Sequence, residues 1–176
     1  MKYLHTLALY LLVCNSAFSQ VNLTDSASKM NAEKQATIMA NLLLKKDYVA
    51  FAAYTHDPII KMIGGSEKMA KLLQESFEKM EQDDFILSNV TASNCSNIVR
   101  TETQLQYTLT ETLEIKYKTE KLIQKSTIID ISSDKGVSWT FIDTHGATLE
   151  ELQKTLKELS SNLIIPKQSK PEMIPN

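Results

Sequence analysis

At 176 residues, 43% of them apolar, the chain has the size and composition of one globular domain with a packed core. A net charge of −2, with acidic and basic residues interspersed, leaves no basic stripe of the kind a nucleic-acid-binding surface needs. Beyond the N-terminus no apolar run approaches the ~20 residues of a membrane-spanning helix, so a stable span is not expected.

Residues 1–19 have the layout of a secretory signal peptide: Lys2, an apolar run from Leu7 to Cys14, and the step Ala17-Phe18-Ser19. Export to the periplasm or the medium is expected, with cleavage near Ser19 and Gln20 starting the mature chain. Val13 stands where a lipoprotein signal needs a small residue, which disfavours lipidation of Cys14. Cleavage would leave Cys95 alone, so no intrachain disulfide is expected. A buried, inert thiol is the preferred reading over an intermolecular bridge.

Residues 20–30 read as a flexible lead-in, 31–165 as a single α+β domain and 166–176 as a flexible tail. The spacing of Ala32, Ala36, Met39 and Leu43 predicts a helix starting at Asn31 as its N-cap. Asp47 caps a second, shorter helix that includes Tyr48, Phe51 and Ala52, and Pro58 stops it. Residues 59–63 form a short strand candidate before Gly64-Gly65. Ser66 then caps a third helix with Met69, Leu72, Leu73, Phe77 and Met80 on its core stripe.

From Phe85 the apolar period changes to two, predicting strands over 85–94, 98–117, 121–131 and 137–143. Their connections are short and rich in turn formers, so the strands form an antiparallel meander curled around the helices. Thr148-Leu149-Glu150-Glu151 reads as a capping box opening a last helix, with Leu149, Leu152, Leu156 and Leu159 as its seam. Residues 163–165 dock and the end of the chain frays.

The longest strand alternates cleanly. Leu105, Tyr107, Leu109, Glu111, Leu113, Ile115 and Tyr117 share one face; Gln104, Gln106, Thr108, Thr110, Thr112, Glu114 and Lys116 share the other, which is expected to be wet. Glu111 is the acid within the apolar stripe, where desolvation would raise its pKa.

The segments Tyr54-Thr55-His56-Asp57-Pro58, Gly64-Gly65-Ser66-Glu67-Lys68-Met69 and Trp139-Thr140-Phe141-Ile142-Asp143, in this order of elements, resemble the nuclear transport factor 2-like (SnoaL-like) superfamily over residues 31–144. The resemblance implies a cone: a curved antiparallel sheet wraps the N-terminal helices and leaves a pocket at the wide end, here with an extra C-terminal helix. Such proteins include isomerases, dehydratases, non-catalytic ligand binders and protein-interaction modules, so fold alone does not fix function. Ketosteroid isomerase-like members carry a base in an Asp-Pro step after the first strand. Asp57-Pro58 looks similar but precedes 59–63, and is not carried over. Dehydratase-like sites pair histidines with an aspartate, and nothing in the sequence brings His56 and His145 together.

Within that implied pocket the candidate lining residues are Tyr54, Tyr107, Glu111, Trp139 and Asp143. No cofactor and no metal are expected, because the two remaining histidines have no ligand-spaced companions. The leading expectation is an exported, non-catalytic domain that binds a small apolar ligand or a protein partner. The alternative is a cofactor-free isomerase or hydratase with Glu111 or Asp143 as general base, and a third is an accessory subunit docked through the leucine-rich last helix. Oligomeric state is left open.

Overall fold

A computed structural model of the chain describes residues 24–175. The expected export signal and the first residues of the lead-in lie outside the described residues.

Helix α1 runs from Asp25 to Leu44, six residues earlier than the Asn31 start expected from the apolar spacing. Thr24 is the actual N-cap; its side chain accepts from the Ala27 N–H, and Asp25 adds an acid to the first turn. Asn31 is thereby freed for another task. Its side-chain amide donates to the Gly136 carbonyl at 2.8 Å and the Val137 carbonyl at 2.6 Å. Gln35, one turn on, donates to the Val137 carbonyl and accepts from the Trp139 N–H. Ala32, Ala36, Met39 and Leu43 are buried, as their spacing requires.

Helix α2 (Tyr48–Ala52) is capped by Asp47, which accepts from the Ala50 N–H at 3.1 Å. Residues 59–63, expected as a strand, belong instead to helix α3 (Asp57–Ile63). Pro58 opens this helix rather than ending the one before: its fixed φ suits the first turn, where its missing N–H costs nothing. Gly64, left-handed at φ 97, closes it. The extended segment lies earlier. Thr55 bridges Phe141, with the His56 N–H donating to the Phe141 carbonyl at 3.0 Å and the Phe141 N–H to the Tyr54 carbonyl at 2.8 Å. Helix α4 (Ser66–Gln82) has Gly65, not Ser66, at its N-cap and packs Leu73 and Phe77 beside Val90, with the Phe77 ring stacked on Tyr48.

The strands are β1 (Phe85–Ser93), β2 (Val99–Arg100), β3 (Leu105–Tyr117), β4 (Glu120–Ser132), β5 (Thr140–Asp143) and β6 (Glu172–Pro175). They form one antiparallel sheet in the order β1-β3-β4-β5, with β2 also paired to β3 and β6 to β4; it is not closed into a barrel. The expected 98–117 strand is broken at Thr101, whose hydroxyl accepts from the Gln104 N–H at 3.0 Å and turns β2 back onto β3. Residues 137–139 leave the ladder because Asp134 and the α1 amides capture their backbone. The tail, expected to fray, adds β6 to β4, with Ile123 opposite Glu172 and Glu120 opposite Pro175.

The polar face of β3 is wet only toward its far end, where Thr110, Thr112 and Glu114 are partly exposed and Lys116 is exposed. Gln106 is wholly buried and Thr108 is 4% exposed, because residues 154–165 cross over them. Helix α5 (Leu149–Gln153) has the expected Thr148–Glu151 capping box but ends at Gln153. Leu156, Leu159 and Leu163 are then buried from turns, against Ile129, Ile131 and Ile142. An irregular cover leaves backbone groups that need partners. Gln106 satisfies two: its amide donates to the Glu158 carbonyl and its carbonyl accepts from the Ser160 N–H, both at 2.9 Å. The Thr108 hydroxyl donates to the Ile164 carbonyl at 3.2 Å. At Gln106 and Thr108 the alternation therefore marks a chemical match to the covering segment, not solvent.

Candidate functional site

Cross-strand register sets the site. On the face toward α1, Tyr107, Asp130 and Phe141 form one row, Leu109, Ile128 and Asp143 the next, and Ala92, Glu111 and Ser126 a third. Successive rows are about 7 Å apart along the strands. The first two rows close against Ala32, Ala36 and Met39 of α1.

Three of the five expected lining residues meet at the first row. The Tyr107 and Trp139 rings pack edge to face at 5.2 Å, and the Trp139 indole donates to the Gly136 carbonyl at 3.1 Å. Tyr54 lies half-buried with its ring 6.3 Å from Phe141. Tyr107 is completely buried and Trp139 nearly so, which makes this end of the face a packed core.

Glu111 and Asp143 lie on the same face in neighbouring rows, with β4 between their strands. Glu111 is only 7% exposed, and its carboxyl is pushed up to about 7, first by burial and then by the charge of Asp143. The hydroxyl of Ser126, directly opposite on β4, pulls the other way. That contact is loose, since the Ser126 oxygen makes no hydrogen bond of ordinary geometry. Asp143 is partly exposed and accepts from the His145 N–H at 2.9 Å, with the His145 ring 3.3 Å from its other oxygen.

One acid in this face escaped the sequence reading. Asp130 stands inside the run Ile128-Ile129-Asp130-Ile131 and is completely buried, with neither oxygen hydrogen-bonded. Burial drives its carboxyl far above the usual range; the nearby Tyr107 hydroxyl, itself pushed up by burial, offsets this only in part because it too falls outside hydrogen-bond geometry. Glu33 of α1 adds a further like charge. The signal was available: an acid flanked by isoleucines in a strand covered on both faces. Cys95 donates to Glu33 at 3.0 Å, and burial followed by Glu33 pushes its thiol up to about 12, so it is half-buried and inert.

The histidines take separate partners. His56 stands at the N-cap of α3 but makes no side-chain cap. Its ring bonds the Thr140 hydroxyl through Nδ1 at 2.9 Å and Glu158 through Nε2 at 3.1 Å, tying α3 to both the sheet and the covering segment. Asp57 follows an extended residue after all, but its exposed carboxylate pairs with Lys61 at 2.5 Å, one helical turn away. Among the described residues no three His, Cys, Asp or Glu side chains gather as a metal site, and no helix is long and apolar enough to cross a membrane.

Two open hollows lie elsewhere. One of about 370 Å³ is bounded by Arg100, Thr101, Gln104, Ser132, Ser133 and Lys135, and another of about 240 Å³ by Lys46, Tyr48, Gln74 and Glu78. None of the five candidates lines either. No protein-family model matches the chain, and no curated protein is significantly similar to it.

Proposed function

We propose that this is an exported, non-catalytic binding domain with the cone layout of the nuclear transport factor 2-like superfamily and an irregular C-terminal cover, taking a small, largely apolar ligand at the Glu111 end of the sheet face toward α1. One observation carries this reading: Glu111 is a carboxyl, 7% exposed, with no ion-pair partner among the described residues, within an otherwise apolar stripe. A leucine there would stabilise the fold, since burying a carboxyl without a partner costs several kcal/mol on the order of a desolvated ion. A buried carboxyl that opposes stability in this way marks a candidate for recognition or chemistry. The opposite end is filled by Tyr107 and Trp139, which leaves the Glu111 end for the proposed ligand. Thermal-shift screening of the purified chain against lipids, steroids and peptidoglycan fragments tests the reading. A shift that disappears in Glu111→Leu supports it; no shift from any of them leaves only a protein-interaction role.

A second reading has its own support. A carboxyl titrating at about 7 is poised to act as a general base, which favours a cofactor-free isomerase or hydratase. If Glu111→Gln and Asp143→Asn both leave a detected turnover intact, that reading is finished.

A further inference from the structure

We propose that the hollow of about 370 Å³ at the β2–β3–β4 end of the sheet binds a small hydroxylated acid, such as a sugar acid or a sugar phosphate, with Arg100 and Lys135 anchoring its oxyanion. This site is separate from the Glu111 face and does not depend on the reading given to that face. Strand pairing builds it. Arg100 of β2 lies opposite Leu105 of β3, and Leu105 lies opposite Ser132 of β4. The β2–β3 turn and the loop after β4 therefore stand side by side over a floor of Leu105 and Ser132, both buried.

Each wall is fixed by its own hydrogen bonds. In the turn, the Thr101 N–H donates to the Gln104 carbonyl at 2.9 Å and the Gln104 N–H to the Thr101 hydroxyl at 3.0 Å. Across the hollow, the Ser132 hydroxyl accepts from the Gly136 N–H at 2.8 Å. A cavity whose walls are already formed spends little on ordering when a ligand enters.

Charge selects the ligand. Arg100 and Lys135 come from the two facing loops, and Glu102 is the acid among the lining residues. Asp134 shares a loop with Lys135 but does not line the hollow; its carboxylate is taken up by the Val137 and Ser138 N–H groups and the Ser132 and Ser138 hydroxyls. Asp25 pairs with Arg100 from outside the lining, and both side chains are more than half exposed, so the pair holds the guanidinium only weakly. A guanidinium has five N–H donors, more than one carboxylate can occupy. Thr103, Ser133 and Gln104 add hydroxyls and an amide, which suit ligand hydroxyls and not an apolar body.

Glucuronate, glucose 6-phosphate and glucose, titrated calorimetrically into the purified chain at low salt, test this: the first two differ in their oxyanion and the third lacks one. At least one of the acids is expected to bind, about tenfold or more tightly than glucose. Arg100→Gln and Lys135→Gln should each weaken that binding about tenfold, whereas Glu102→Gln, which removes a like charge, should tighten it. Lys116→Gln, an exposed lysine at the far end of β3, should leave it unchanged. Arg100, Glu102 and Lys135 are exposed, so an unchanged Tm would show that the variants fold. Glucose binding as well as either acid overturns the oxyanion assignment, and Lys116→Gln weakening binding as much as Lys135→Gln overturns the site. No binding of either acid at millimolar concentration overturns the proposal and leaves the Glu111 reading untouched.

Discussion

Asp130 faces Tyr107 directly across the β3–β4 ladder, yet neither its carboxyl oxygens nor the phenol hydroxyl makes a hydrogen bond of ordinary geometry. A charge at that place would be intolerable, and burial accordingly holds the carboxyl protonated well above its ordinary range.

The sign of the linked pH effect follows. The folded chain keeps a proton on Asp130 that the unfolded chain releases near pH 3.8, so stability is full below that pH and falls as pH rises toward the folded value. The slope is up to about 1.4 kcal/mol per pH unit. Asp130→Asn should remove it, raising the Tm relative to wild type by more at pH 8 than at pH 5. Parallel Tm–pH curves for the two proteins would count against a protonated Asp130.

Glu111 gives a narrower window. Its carboxyl is raised from 4.5 to about 7, so the stability it contributes is complete below pH 4.5 and is lost by about pH 7, with no further loss above. Glu111→Gln should match wild type at pH 4 and exceed it by about 1–3 kcal/mol at pH 8. Urea unfolding at the two pH values measures this; a variant weaker at pH 8 would remove the argument that Glu111 opposes stability.

Gly136 holds a left-handed turn at φ 90 against α1, where an added Cβ would lie 2.8 Å from the Ser28 Cβ. Ser28 is wholly buried and helical, so neither side can yield cheaply. Gly136→Ala should cost about 2–4 kcal/mol, combining backbone strain with overpacking. A Tm within a degree or two of wild type would mean that the 136–139 loop is not fastened to α1 as described.

Leu156 tests the covering segment. It is 1% exposed and packs in the apolar cluster with Ile129, Ile131 and Ile142. Leu156→Ala should destabilise by about 2–5 kcal/mol, seen as a lower urea midpoint at unchanged slope. Loss of under ~1 kcal/mol would show that the segment is a dispensable lid.

Where the sequence could be read correctly, the deciding interaction was local. Asp47 and the Thr148–Glu151 box cap the helices they were expected to cap, and Ala32, Ala36, Met39 and Leu43 share a buried face because a 3.6-residue period puts them there. Local signals also misled where two competed: the isoleucines after Pro58 favour a strand, but the proline and the Gly64 turn bracket a helix. Of the candidate site, strand alternation and register put Glu111 and Asp143 on one face in neighbouring rows, whereas Tyr107 and Trp139 proved to be core.

The amino-acid order by itself determined the α+β character, the buried face of α1, the caps at Asp47 and Thr148 and the β3–β4 hairpin, since each depends on residues a few positions apart. Tertiary structure alone decided that Gln106 would be buried beneath a segment 52 residues further on, that His56 would reach Glu158, and that Asp130 would be sealed in without a partner. Periodicity tells which side chains share a face. What covers that face depends on segments distant along the chain, and no spacing rule encodes their arrival.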